Sequence, residues 1–214
     1  MPAAISPTAE PGLFYIISQP KAGCEEEYHE WYNTEHGPLR LQLGFVRNGY
    51  RYRCIDADSK AFLAIYDLAR LAGLQEPADK IDWIDRRVYR DVSSRGRSDD
   101  PAPVIMTVSL LVRDDLVPEV HRWYEKEHIH DLSRIPGWRR SRRFELLEAD
   151  DLRPGYTELL AVHDFDKING LDGPEHMAGR AKPWRNQIMA QVERRVSRRF
   201  EYFHEFQASD YREP

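Results

Sequence analysis

A chain of 214 residues with 41% hydrophobic and 31% charged side chains can build a substantial apolar core, in one large domain or two small ones. Its net charge of -5 and pI near 5.9 give no electrostatic ground for a nucleic-acid partner. Cys24 and Cys54 stand outside any paired motif, no apolar run nears the ~20 residues that span a bilayer, and the opening MPAAISPTAEPG lacks the basic-then-apolar pattern of a signal peptide. The expectation is a cytoplasmic protein without membrane contact.

In chain order, residues 1–11 read as a flexible arm. Leu13–Ser18 has the β-branched and aromatic content of a buried strand. Tyr28, Trp31, Tyr32, Glu35 and Leu39 recur at helical spacing, and a turn at Gly44 follows. Tyr50, Tyr52 and Cys54 alternate with Arg51 and Arg53, as in a strand. Phe62–Asp67 predicts a third strand, Ile81–Arg86 a second helix, and Val88–Val92 a closing strand. SSRGRSDDPAP, residues 93–103, has the composition of a linker.

The series then begins again. Val104–Val112 predicts a strand, and Val117, Val120, Tyr124, Glu127 and Asp131 a helix. Gly137 marks a turn, Leu159–Phe165 a strand, Trp184–Val192 a helix and Val196–Phe206 a strand, before an arm over residues 207–214. The arginine-rich stretches Arg139–Arg143 and Arg194–Arg199 read as solvated or salt-bridged faces.

The two series share residues as well as order. YHEWYNTEH (28–36) and VHRWYEKEH (120–128) align at a shift of 92, pairing Trp31 with Trp123, Tyr32 with Tyr124 and His36 with His128. Leu63–Asp67 answers Leu160–Asp164 at 97, so length differences fall in loops, where insertions are tolerated. Ordered blocks of this kind predict a duplication, with repeats over 12–92 and 104–206. Each repeat has the order β-α-β-β-α-β, a split βαβ unit. Two alignments of the second strand remain open: Tyr50 pairs with Arg142 in one and with Arg143 in the other.

This order, with a first helix ending W-Y-x-x-E-H, resembles the dimeric α/β-barrel superfamily and, within it, EthD-like domains. His36-Gly37-Pro38-Leu39 fits the EthD-like pattern, whereas His128-Ile129-His130-Asp131 departs from it. The resemblance implies an α+β protein in which two fused ferredoxin-like repeats form a single-chain dimeric α/β barrel. It also implies a small-molecule cavity between sheet and helices.

That placement makes His36 and His128 the candidate acid–base residues, since histidine exchanges protons near neutral pH. Each is expected at a helix C-terminus, where the dipole favours the charged form. The alternative is a histidine that merely bonds a carbonyl and locks the next loop. Tyr32 and Tyr124 are candidate oxyanion donors, or core aromatics. Trp31, Trp123, Tyr50, Tyr52, Tyr66 and His163 are candidate substrate contacts, with Glu35 and Glu127 as orienting carboxylates. His121, Glu127, His128, His130 and Asp131 gather ligand types without an H-E-x-x-H spacing, so no metal is expected. Nucleotide-binding glycine motifs are absent, and no cofactor is expected.

The leading expectation is a cofactor-independent enzyme of the lyase, isomerase or cyclase type. Proton-transfer chemistry would act on an apolar, aromatic or polyketide-like substrate. The alternatives are a non-catalytic binding or stress-type module for an apolar ligand, and a haem- or O2-dependent monooxygenase. Association into a homodimer stays open.

Overall fold

The computed structural model describes residues 9–56, 61–71, 81–98 and 101–212. It divides into two compact units. Unit 1 comprises Met1–Asp91, Leu146–Asp151 and Phe200–Pro214; unit 2 comprises Val92–Glu145 and Leu152–Arg199.

Unit 1 opens with strand β1 (Gly12–Pro20), helix α1 (Glu25–Trp31), a π-helical turn (Tyr32–His36) and helix α2 (Gly37–Leu41). Strands β2 (Val46–Cys54), β3 (Phe62–Leu68) and β4 (Ile81–Gly96) follow. β1 pairs antiparallel with β3 and β4, and β2 with β3 and with the end of β8 (Arg194–Glu205). One sheet face carries Phe14, Ile16, Ala64, Tyr66 and Val88 against Tyr28, Trp31 and Tyr32 of the helices. The other face, with Leu13, Tyr15, Ile17, Leu63 and Ile65, is buried as well. A strand buried on both faces reads as a continuous apolar run, which is why β1 was visible in the sequence.

Unit 2 holds β5 (Val104–Arg113), helix α3 (Val117–Trp123), a second π-helical turn (Tyr124–His128) and α4 (Ile129–Leu132). Then come β6 (Trp138–Glu148), β7 (Tyr156–Phe165), α5 (Pro174–Arg180), α6 (Pro183–Met189) and the start of β8. β7 pairs antiparallel with β5 and β6. Its core joins Met106, Val108, Leu110, Val120, Trp123, Tyr124, Leu132 and Ile188. Burial of each such side chain contributes ~1.5–3 kcal/mol. Among the described residues, no helix is long and apolar enough to cross a membrane.

Two expectations are corrected. Ile81–Arg86 is not a helix but the start of β4, paired with β1. Ile81 and Ile84 imitate a helical period, but the alternation of Ile84, Arg86 and Val88 with Asp85, Arg87 and Tyr89 is that of a strand, and β1 supplies its hydrogen bonds. β4 also runs to Gly96, into the stretch expected as a linker. The stretch expected as a C-terminal arm makes a contact within unit 1. A 3-10 turn at Ala208–Asp210 leads to Arg212, whose N–H donates to the Thr34 carbonyl at 2.8 Å. Pro38, four residues after Thr34, has no N–H to offer that oxygen. The rest of the expected arms, residues 1–8 and 213–214, lies outside the described residues, as do residues 72–80.

The open register is settled by side-chain position. Arg51 lies over the Tyr32 ring at 4.4 Å and Arg143 over the Tyr124 ring at 5.2 Å. Arg51 also faces Ala64 across the ladder, as Arg143 faces Ala161. Tyr50 therefore corresponds to Arg142.

Candidate functional site

Both candidate histidines sit inside a helical run rather than at its end, because helix resumes after each π-helical turn. The expected help from a helix C-terminus is therefore lacking. The widened turn has its own consequence: it swings residue i+5 over residue i. His36 stacks on Trp31 at 4.5 Å and His128 on Trp123 at 4.3 Å. Tyr32 and Tyr124 meet these imidazoles edge-on at 5.1 and 5.0 Å.

From there the units diverge. In unit 1, Arg40 Nε donates to His36 Nε2 at 3.2 Å. Phe206 stacks on Tyr32 at 5.8 Å and on Tyr66 at 5.4 Å. It sits so close that a Cβ on Gly37 or Gly49 would strike its ring. His36, Tyr32, Trp31 and Tyr66 thus form a packed cluster. The pocket described in this unit, about 530 Å³, lies elsewhere, beside Gln19, Gly23, Glu25, Arg53 and Phe62.

In unit 2, Trp123, Tyr124 and His128 line one cavity of about 90 Å³. Met106, Val108, Leu110, Leu132 and Met189 supply apolar wall, while His176, Arg180, Arg185, Arg195, Ser197 and Arg199 supply a polar side. His163, aligned with Tyr66, lies 6.5 Å from His128, ring to ring. It shares a 2.9 Å hydrogen bond with Ser141 Oγ, which accepts from Trp138 Nε1 at 3.0 Å.

Burial sets the protonation of this group. It drives His128 well below the usual histidine value, and His163, Arg185, His176 and Arg195 push the same way. His163, fully buried, falls to about 3 through desolvation, with His176 and Arg143 adding to it. Tyr124 is pushed up to about 12 by burial, against partial opposition from Arg143, Arg195 and Arg185. At neutral pH the cavity therefore presents a neutral imidazole and a protonated phenol. The first can accept a proton and the second can donate a hydrogen bond to an oxyanion.

Tyr50 and Tyr52 do not join either cluster. They alternate with Arg51 and so occupy the sheet face opposite the helices, where Tyr52 meets Tyr202 edge-on at 5.9 Å. The ligand-type residues around His128 go to separate partners. His121 bonds Glu145 at 2.7 Å, His130 contacts Arg134 at 2.8 Å, and Asp131 accepts from Lys182 at 2.7 Å. Among the described residues, no group of three or more His, Cys, Asp or Glu side chains converges.

The run Arg194–Arg199 is the solvated, salt-bridged face expected of it: Arg194 and Arg195 are exposed, and Arg194 and Arg199 pair with Glu158 and Asp172. The same face also reaches the cavity rim, since Arg195, Ser197 and Arg199 alternate along β8 with the strand period of 2. The sequence reading missed Glu125: it ion-pairs with Arg143 at 2.5 Å, and Ser93 accepts from Arg143 Nε at 3.0 Å.

No protein-family model matches the chain, and no curated protein matches it in sequence. Solved structures do match. An anthrone oxidase-like protein superposes with a TM-score of 0.65 at 11% identity, over 94% of either chain. A candidate monooxygenase from Lactobacillus acidophilus gives 0.57 at 9% identity, over 93% of this chain and 97% of its own. Another, from Fusobacterium nucleatum, gives 0.58 at 7%, over 93% and 95%. At such identities the likeness shows the fold alone: α+β, ferredoxin-like, with an antiparallel sheet. These neighbours are described as monooxygenase-like or oxidase-like, not as EthD-like domains.

Proposed function

We propose that the chain is a fused pair of ferredoxin-like repeats, over 12–92 and 104–206, in which the second carries the active site of a small-molecule enzyme. The observation that carries this reading is a cavity that Trp123, Tyr124 and His128 line together, set against the packed cluster of Trp31, Tyr32 and His36 under Phe206. The reaction is proton abstraction from a carbon acid. His128, neutral before the reaction, takes the proton, and Tyr124 stabilises the resulting enolate or phenolate through its hydroxyl. Trp123 flanks the apolar part of the substrate. His36 and Tyr32 serve packing, as do Trp31 and Tyr66, and Tyr50 and Tyr52 serve the opposite sheet face.

The cavity also bears on substrate size. About 90 Å³ is below the ~150 Å³ cavity that takes up benzene, so a compact substrate fits better than a polycyclic one. The same volume holds roughly three waters and does not fit a haem, and one face of the His128 ring is covered by Trp123. No step is assigned to that group.

The test is solvent-deuterium exchange at the acidic C–H of small β-dicarbonyl compounds, followed by NMR. Wild type and His36→Gln should catalyse exchange. His128→Gln should lose about 10²–10⁴-fold and Tyr124→Phe a smaller factor. If His36→Gln loses as much as His128→Gln, the assignment to unit 2 is wrong. Binding without exchange by wild type would instead support a binding module.

A second reading is favoured by the neighbours described as monooxygenases and anthrone oxidase-like. The electron-rich anion made by this deprotonation is the species that molecular oxygen attacks. An oxygen electrode separates the readings, since exchange alone consumes no oxygen.

A further inference from the structure

We infer that the ligand of the unit 2 cavity carries an anionic head, a carboxylate or a phosphate, seated among Arg180, Arg185 and Arg195. The inference rests on the reading that this cavity is the substrate site, and it names the substrate class.

Three elements deliver these side chains: Arg180 ends α5, Arg185 lies in α6 and Arg195 in β8. All three line the cavity with His128, and no acidic residue lines it. The chain as a whole has 36 acidic residues against 31 lysines and arginines, so a cavity lined by four arginines and no acid departs from the chain-wide balance. Arg199 provides the comparison. It is held fork to fork by Asp172, with Nη1–Oδ2 at 2.9 Å and Nη2–Oδ1 at 2.8 Å. Among the described residues, Arg180, Arg185 and Arg195 have no such carboxylate. Arg185 is instead oriented by the Arg180 carbonyl, to which its Nη1 donates at 3.1 Å.

Like charges gathered at a partly desolvated mouth oppose one another. Arg185 and Arg195 accordingly hold their protons less tightly than usual, first through burial and then through their arginine neighbours. An anion offsets that repulsion, and the planar guanidinium matches carboxylate and phosphate oxygens in pairs. The remaining wall, Met106, Val108, Leu110, Leu132 and Trp123, is apolar. A compact acid with an apolar body meets both sides. Its charge would also relieve the cationic field on His128 and so strengthen the base when substrate is bound.

The test is calorimetric titration of the full chain with propionate, ethyl phosphate and neutral propionamide, whose bodies suit the small cavity. At least one anion should bind tenfold or more tightly than propionamide, and the better anion identifies the head group. The double variant Arg185→Gln/Arg195→Gln should abolish that preference. Arg153→Gln, which removes a surface pair with Glu193 at 2.9 Å, should leave it intact. Equal affinity for propionamide, absence of anion binding, or a preference that survives the double variant each overturns the proposal. The catalytic reading fails separately: if the anion preference follows the arginines while His128→Gln keeps full deuterium exchange, the anion site stands and the base assignment falls.

Discussion

Arg51, fully buried, donates from Nη1 to Asn33 Oδ1 at 2.6 Å, and that neutral amide stands where the other unit has the carboxylate of Glu125. Four rings surround the Arg51 guanidinium, Tyr28, Tyr32, Phe62 and Phe203, at 4.4–5.9 Å. Among the described residues its Nη2 has no hydrogen-bond partner. Cation–π contacts recover part of the desolvation cost, but a buried charge without a counter-charge remains expensive.

Asn33→Asp should therefore stabilise the protein. The change is nearly isosteric and turns a neutral acceptor into a charge-assisted one, worth roughly 1–3 kcal/mol. Urea unfolding at pH 7 should show a higher midpoint at unchanged slope. A lower midpoint would mean that the aromatic cage already satisfies Arg51.

The sequence carried much of this, though not its meaning. The exchange of Asn33 for Glu125 sits in plain view in the aligned blocks, yet only the position of Arg51 and Arg143 over their tyrosines shows that it removes a counter-charge. The first strands and the W-Y…E-H helices were legible because their periods are local. β4 was not, because its identity depends on β1, far away in sequence. Phe206 was unreadable as the cover of Tyr32 for the same reason: nothing near residue 206 encodes the space beside Gly37. Tyr50 and Tyr52 have the residue type of a binding site, but the strand pleat places them on the face opposite the helices.

Gly37 and Phe206 should be energetically coupled. In a helix, Gly→Ala ordinarily gains about 0.5–1 kcal/mol. Here a Cβ would lie 2.1 Å from Phe206 Cε1, so Gly37→Ala should instead cost about 1–3 kcal/mol through overpacking. Phe206→Ala alone should cost about 3–5 kcal/mol as a cavity opens beneath Tyr32. In the double variant the alanine methyl gains room, so the combined loss should fall well short of the sum. Additive losses in a denaturant-measured cycle would show that Phe206 is not the obstacle.

Ser141 is the hinge of a buried polar chain. Fully buried, it accepts from Trp138 Nε1 and shares a hydrogen bond with His163 Nδ1. Ser141→Ala strips the partner from both groups at once and should cost about 1–3 kcal/mol. Proton NMR should show the Trp138 indole N–H moving upfield as it loses its acceptor. An unmoved indole resonance would place its hydrogen bond elsewhere.

Stability should fall in acid because His163 cannot accept a proton where it sits. Its value is about 3 in the folded chain against 6.5 when unfolded, so below pH 6.5 the unfolded state binds a proton that the folded state refuses. The stabilising contribution is fully present above pH 6.5 and is lost progressively as pH falls toward 3. From pH 7 to 4.5 the loss from this residue alone is roughly 2–3 kcal/mol. His128 is shifted in the same direction and steepens the trend. His163→Asn removes the titrating group, so its stability should change less steeply over that interval, by about 1.4 kcal/mol per pH unit. Parallel curves for the two proteins would mean that His163 is protonated in the fold, and the neutral environment argued for the cavity beside it would have to be abandoned.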